Sequence, residues 1–199
     1  MLTYYDAVSH GLPHDPLKAM VAPRPIGWIS TYGPDGSTNL APYSFFNLVS
    51  DRPKIVMFSS VGWKDSARNA RDARCFAANL ATHAMREKVN ASSAAFEHGS
   101  SEFEAVGLTP VRCKVIDAPM IESADAVLEC RVTEIVIPKT VDGDESTAVM
   151  VLAQVVGYHI DDRLLRDGLF DSAGAGLLSR LGYFDYSSVT ETFAMRRPG

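Results

Sequence analysis

The stretch Asn39-Leu40-Ala41-Pro42-Tyr43-Ser44-Phe45-Phe46-Asn47 decides how this 199-residue chain is read. It follows a strand-like run, Arg24-Pro25-Ile26-Gly27-Trp28-Ile29-Ser30-Thr31-Tyr32, and a turn, Gly33-Pro34-Asp35-Gly36. An apolar strand, a Pro/Asp/Gly turn and a second strand predict a β-hairpin. The second strand mixes small, hydroxyl-bearing and aromatic residues where a core strand would be rich in valine and isoleucine. Pro42 assigns it to a sheet edge or an interrupted ladder, because proline has no N–H to donate. Backbone amides left free beside Ser44, Phe45 and Asn47 would suit a flat aromatic ligand with a polar rim. On this segment alone an irregular edge strand accounts for the composition equally well.

Two segments downstream add to the reading. Arg52 to Ser60 predicts a third strand that ends in two hydroxyls, Ser59 and Ser60. After the turn Val61-Gly62-Trp63 comes Lys64-Asp65-Ser66-Ala67-Arg68-Asn69-Ala70-Arg71-Asp72-Ala73-Arg74. Asp65 or Ser66 makes a good N-cap, and the alanine-rich run behind it favours helix. Lys64 and Ser66 then flank a helix N-terminus, where free N–H groups and the helix dipole attract anions. A phosphate fits there; for Lys64, Ser66 and Asn69 the alternative is a plain helix start.

The series R-P-I-G-W-I-S-T, then N-L-A-P-Y-S-F-F-N, then S-S-x-G-x-K-D-S resembles the flavin reductase-like family of FMN-binding split-barrel proteins. The resemblance runs from about residue 19 to about residue 186. It implies a mainly β fold, a split β-barrel of the Greek-key antiparallel type with a few peripheral helices, as one domain over residues 1–199. It implies FMN bound at a homodimer interface, the ring against the strand with Tyr43, Ser44, Phe45, Phe46 and Asn47, and the phosphate near Lys64, Asp65, Ser66 and Asn69. Of Phe45 and Phe46, one is expected in the core and one near the ring, since strand neighbours point to opposite faces. Ser59 and Ser60 are expected on the ribityl chain or the phosphate, or as strand-end caps. Arg24 offers a fork to the flavin or to a pyridine-nucleotide phosphate, or else is a surface arginine between two prolines.

The resemblance further implies hydride transfer from NADH or NADPH to FMN, with reduced flavin passed to a flavin-dependent monooxygenase or another small acceptor. The other readings are a non-catalytic FMN-binding or electron-transfer protein, and an interaction protein that kept the barrel without the cofactor. His159 ends a strand that in some relatives brings a histidine to the nicotinamide side of the flavin; an exposed strand-end histidine is the alternative. Leu178 to Tyr186 resembles the closing R-L-G-G-x-x-Y motif, with Tyr183 replacing its second glycine. Arg180 and Tyr186 then line the site or close the barrel.

Composition fits one globular domain, 46% hydrophobic and 22% charged. A net charge of −5 and a pI of about 5.5 argue against a nucleic-acid binder. The arginines from Arg68 to Arg74 are interleaved with acids, the pattern of a solvated face. No apolar run approaches the roughly 20 residues of a membrane span. The N-terminus lacks the basic start and apolar stretch of a signal peptide, so a cytoplasmic protein is expected. Three cysteines, Cys75, Cys113 and Cys130, form no C-x-x-C and are expected as buried thiols.

Elsewhere the pattern predicts strands at Cys75–Leu80, Val111–Ile116, Ala126–Ile137 and Thr147–His159, the last two as a long hairpin. Helices are predicted from His83 to Ser93 and Ser101 to Ala105, with Gly107 as a stop. Among His10, His14, His83, His98 and His159 no H-E-x-x-H occurs, and no Cys/His group has zinc spacing, so no metal site is expected. No P-loop, G-x-S-x-G elbow or complete G-x-G-x-x-G is present.

Overall fold

The computed structural model describes residues 1–96 and 101–198; His98 lies outside the described residues. In chain order the strands are β1 (Arg24–Pro25), β2 (Gly27–Tyr32), β3 (Thr38–Tyr43), β4 (Phe46–Asp51), β5 (Lys54–Val61), β6 (Cys75–Leu80), β7 (Pro110–Arg112), β8 (Pro119–Ile121), β9 (Ala126–Val136), β10 (Ala148–Ile160), β11 (Leu165–Arg166), β12 (Leu169–Phe170), β13 (Leu178–Arg180) and β14 (Tyr186–Ser188). The helices are short: α1 (Leu17–Met20), α2 (Asp65–Ala73), α3 (Arg86–Ala91), α4 (Glu102–Ala105) and α5 (Ser172–Ala175).

Seven antiparallel strands form one sheet in the order β3-β2-β6-β9-β10-β5-β4. Its two edge strands, β3 and β4, are consecutive in the chain and separated only by Ser44 and Phe45. The sheet therefore rolls until its edges meet at that corner, where Ser59 N–H donates to Phe45 C=O at 2.8 Å. Beyond the corner β3 and β4 do not pair, which leaves the barrel split.

The opening stretch is thus two strands and a corner rather than one strand. Pro42 lies in edge strand β3, where a missing N–H costs least. Gly27 sets the corner: a Cβ there would stand 2.5 Å from Phe46 Cδ2, so only glycine lets the Phe46 ring fold back across β2.

The barrel interior holds Ile29, Val56, Phe58, Phe76, Val132 and Val151. Tyr43 packs on Phe58 at 4.9 Å between ring centroids, and Phe58 meets Phe76 edge-on at 5.0 Å. Ala67 and Ala70 of α2 join this core, so the helix plugs the barrel with its small-residue face. A second cluster outside the sheet gathers Ile26, Trp28, Leu40, Phe103 and Ile121, with Trp28 Nε1 donating to Ser92 Oγ at 2.9 Å. Arg24 and Pro25 of β1 pair with Arg180 and Ser179 of β13, which tie the C-terminal segment to the barrel.

The long hairpin forms as expected, with an extra residue on β9, Thr133, opposite Leu152/Ala153, and one on β10, Val156, opposite Glu129/Cys130. The strand expected over 111–116 stops at Arg112, because Lys114, Val115 and Ile116 N–H groups donate to the Glu129 carboxylate instead of a ladder. The helix expected from His83 opens as a 3-10 turn and is α-helical only over Arg86–Ala91. Lys64, extended at φ −84° and ψ 169°, is the N-cap of α2 in place of Asp65 or Ser66. Among the described residues no helix is long and apolar enough to cross a membrane.

Candidate functional site

The corner opens onto a cavity of about 660 Å³. Barrel residues Tyr43, Ser44, Phe45, Ser59 and Lys64 form one wall. Terminal segments form the other, with His14, Lys18, Arg180, Leu181 and Tyr183. Arg24 joins the two walls. It is buried, and its Nη1 donates to the carbonyls of Lys18 and Val21 while Nη2 donates to Leu181 C=O at 2.7 Å. Its guanidinium carbon lies 6.0 Å from the Phe45 ring centroid. The surface-arginine alternative is excluded: Arg24 holds both terminal segments against the barrel.

Six of the expected site residues meet here: Arg24, Tyr43, Ser44, Phe45, Ser59 and Lys64. The phenylalanines divide between the corner and the first residue of β4. Phe45 is 41% exposed at the cavity, and Phe46 packs against the barrel core. Ser59 faces the cavity, and its neighbour Ser60 turns inward and is buried beside the Tyr43 phenol. Asn47 sits on exposed β4, where its Oδ1 accepts from Leu48 N–H at 2.8 Å.

Asp65 and Ser66 face an adjoining cavity of about 460 Å³ that shares Pro42, Tyr43 and Lys64 with the first. Ser66 and Asn69 are both buried in a polar network that anchors α2 to the barrel. Asn39 Nδ2 donates to Ser66 Oγ at 2.8 Å, and Asn69 Nδ2 donates to Thr31 Oγ1 at 3.1 Å. The Asn69 amide is thereby drawn inward, away from the helix start.

His159 is not brought to the cavity. It stands nine residues along β10 from Met150, the partner of Ser59, or ~30 Å of extended strand. Its Nε2 contacts Glu129 Oε1 at 2.6 Å. Burial alone would push the Glu129 carboxyl up. The hydrogen bonds from His159 and from the amides of Val115 and Lys114 outweigh it and hold the group below the ordinary carboxylate range.

The cavity is basic within an acidic molecule. Lys18, Arg24, Lys64 and Arg180 line it against one carboxylate, Asp15, although the chain carries −5 overall. The ammonium groups of Lys18 and Lys64 have no ion pair among the described residues. Such a lining concentrates anions at its mouth. Burial pushes the Tyr43 phenol up, so it stays protonated and can donate at neutral pH. The three cysteines are free and buried, and burial pushes the Cys113 thiol up to about 12, which leaves no reactive thiolate.

His14, Lys18, Leu181 and Tyr183 were not legible as site residues. Only the R-L-G-Y segment carried a signal, and Tyr183 occupies its glycine position at φ 55°, the left-handed conformation that glycine favours. Tyr183 also meets the His14 ring edge-on at 5.7 Å. Gly182 beside it is required, since a Cβ there would stand 2.4 Å from Ala19 Cβ on α1.

The family profile described as Flavin reductase like domain matches residues 20–184. The protein BH2278 of Halalkalibacterium halodurans is 34% identical over 199 residues, covering 97% of this chain and 94% of its own. Nitrilotriacetate monooxygenase component B from Bacillus cereus superposes with a TM-score of 0.83 at 26% identity, over 90% of each chain. The fold is also that of 2-nitrobenzoate 2-nitroreductase NbaA from Pseudomonas fluorescens, with a TM-score of 0.84 at 24% identity over 98% of this chain and 96% of that one. A split barrel closed at one corner, matched by that domain over most of its length, makes this chain a member of the flavin reductase-like family.

Proposed function

We propose that the chain binds FMN in the corner cavity and reduces it with NADH or NADPH. The observation that carries the reading is the cavity itself: about 660 Å³, basic, with an exposed aromatic on one wall and, at a helix start, a lysine with no ion pair among the described residues. That volume lies within the roughly 300–1,000 Å³ of small-molecule sites.

The residues present fit the group. Lys64 and the first N–H groups of α2 hold the phosphate, where charge and helix dipole act together. Ser59 and Ser44 offer hydroxyls to the ribityl chain and the polar rim of the ring. Phe45 provides a flat apolar face, and Arg24 keeps that wall and the terminal segments in place. Bound flavin supplies a two-electron acceptor for the hydride and hands the electrons on. The chain's task is then orientation, charge and exclusion of water. No side-chain acid or base is required, and His159 stays with Glu129 as a structural pair.

A flavin-dependent monooxygenase is the proposed consumer of reduced flavin, a reading supported by the Bacillus cereus neighbour's description as a monooxygenase component. A homodimer is proposed on the row Val156, Tyr158 and Ile160, which leaves three apolar side chains exposed along one face of β10. The test is the absorbance spectrum of protein loaded with FMN, followed without oxygen as NADH and then NADPH are added. Bleaching of the bound flavin supports the reductase. Bound flavin that stays oxidised with both donors identifies a carrier, and failure to bind FMN removes the reading altogether.

A further inference from the structure

A second cavity, of about 570 Å³, shares Arg180 with the first. Its other walls include His83 and Arg86 at the start of the α3 segment, and Phe184 and Tyr186 from the C-terminal segment. Phe184 is 91% exposed and Tyr186 is 39% exposed. The Arg180 guanidinium lies 4.3 Å over the Tyr186 ring, covering one of its faces, and its Nη2 donates to Tyr183 C=O, which leaves Nη1 and Nε for a ligand. Open aromatic faces beside guanidinium groups form a surface on which a purine base stacks, because every base presents a π-face to rings and to planar cations. Arg86 Nη1 is held by His83 C=O at 3.0 Å, and its Nε faces Glu87 at 3.4 Å. Its Nη2 has no partner among the described residues.

We propose that this second cavity takes the adenosine half of the pyridine-nucleotide donor, with Arg180 at the shared wall meeting the diphosphate. The inference rests on the reading of the first cavity as the flavin site. A dinucleotide is two nucleosides joined by a dianionic bridge. It needs two adjoining compartments with a cation between them, and the two cavities about Arg180 have that form. The planar guanidinium matches phosphate oxygens two at a time. The nicotinamide half then enters the first cavity beside Phe45, and the adenine rests on Phe184, beside the Arg180–Tyr186 stack.

The experiment is calorimetric titration of ADP-ribose, at millimolar concentration, into the wild-type protein and into Phe184→Ala and Arg86→Ala. Both side chains are on the surface, and thermal melting checks that the variants fold. Wild type is expected to bind, and each variant to bind about tenfold more weakly, with FMN affinity unchanged. In FMN-loaded protein the same variants should raise KM for the dinucleotide donor about tenfold. Turnover of reduced nicotinamide mononucleotide, which lacks the adenosine, should stay as in wild type. No ADP-ribose binding to wild type overturns the proposal, as does equal binding by all three proteins or an equal loss with the truncated donor. The titration needs no turnover, so failure of the reductase reading and failure of this one give different results.

Discussion

Lys64 and Asn69 lie five residues apart at the start of one helix, and the structure gives them opposite work. Lys64 is exposed and extended at the cavity, with no ion pair among the described residues. Asn69 is buried and donates to Thr31 Oγ1. Lys64→Met is therefore expected to weaken FMN binding by about 10- to 100-fold, the 1.5–3 kcal/mol of a charge-assisted hydrogen bond, with an unchanged melting temperature. Equilibrium titration with FMN and a thermal scan check both halves. Asn69→Ala should do the reverse. It removes a buried donor that pins α2 to the barrel, and should lower stability by about 1–3 kcal/mol in urea unfolding. Sequence alone placed Lys64, Ser66 and Asn69 together because all three mark a helix start. It could not tell which face of a nine-residue helix turns inward. That is decided by Ala67 and Ala70, whose small side chains let the helix sink into the barrel and carry Ser66 and Asn69 with them.

At the scale of elements, the legible parts are those with a period. β9 alternates apolar and polar, β10 opens as a continuous apolar run before Gln154, and both form within a residue or two of expectation. The corner was misread as a continuation of a strand, because nothing in Tyr43-Ser44-Phe45-Phe46 marks a bend without the knowledge that Phe46 packs on Gly27. The 113–116 segment was misread because a single buried carboxylate outcompetes a ladder for three N–H groups. Glu129 is held below the ordinary carboxylate value of 4.5, so the charged form is favoured in the folded protein. Its stabilisation is present in full above the unfolded value and is lost as pH falls from about 4.5 through the folded value. Glu129→Gln should lower stability at pH 7 and flatten this acid limb. Urea midpoints measured from pH 7 down to the acid limb should fall more steeply for wild type than for the variant; parallel curves would show that the carboxylate is not the group that titrates.

For the whole molecule, one geometric fact governs both closure and site. The two sheet edges are neighbours in sequence, so rolling the barrel shut costs no long connection and necessarily puts Ser44 and Phe45 at the seam. A seam is where unpaired backbone and an irregular surface survive, and the terminal segments are clamped across it by Arg24. The number of subunits was not legible in the chain. Burial alternates along β10 and turns Val156, Tyr158 and Ile160 outward, and an outward face meets water or a partner with the same pattern. In the folded chain the three are 38%, 53% and 38% exposed. Three outward apolar residues at i, i+2 and i+4 form a ribbon that water does not favour and a second copy can cover. Tyr158→Glu places a charge in the middle of that ribbon. Its cost to the folded chain is small, because the position is already exposed, whereas burying an unpaired carboxylate at an interface is prohibitive. If the proposed homodimer forms on this ribbon, wild type should sediment as a dimer and the variant as a single 21.6 kDa chain with an unchanged melting curve at low concentration; a monomeric wild type overturns the dimer. A variant that remains dimeric would assign the interface to another face, such as exposed Leu48 and Val49 on β4, and Leu48→Glu would then be the substitution that separates the subunits.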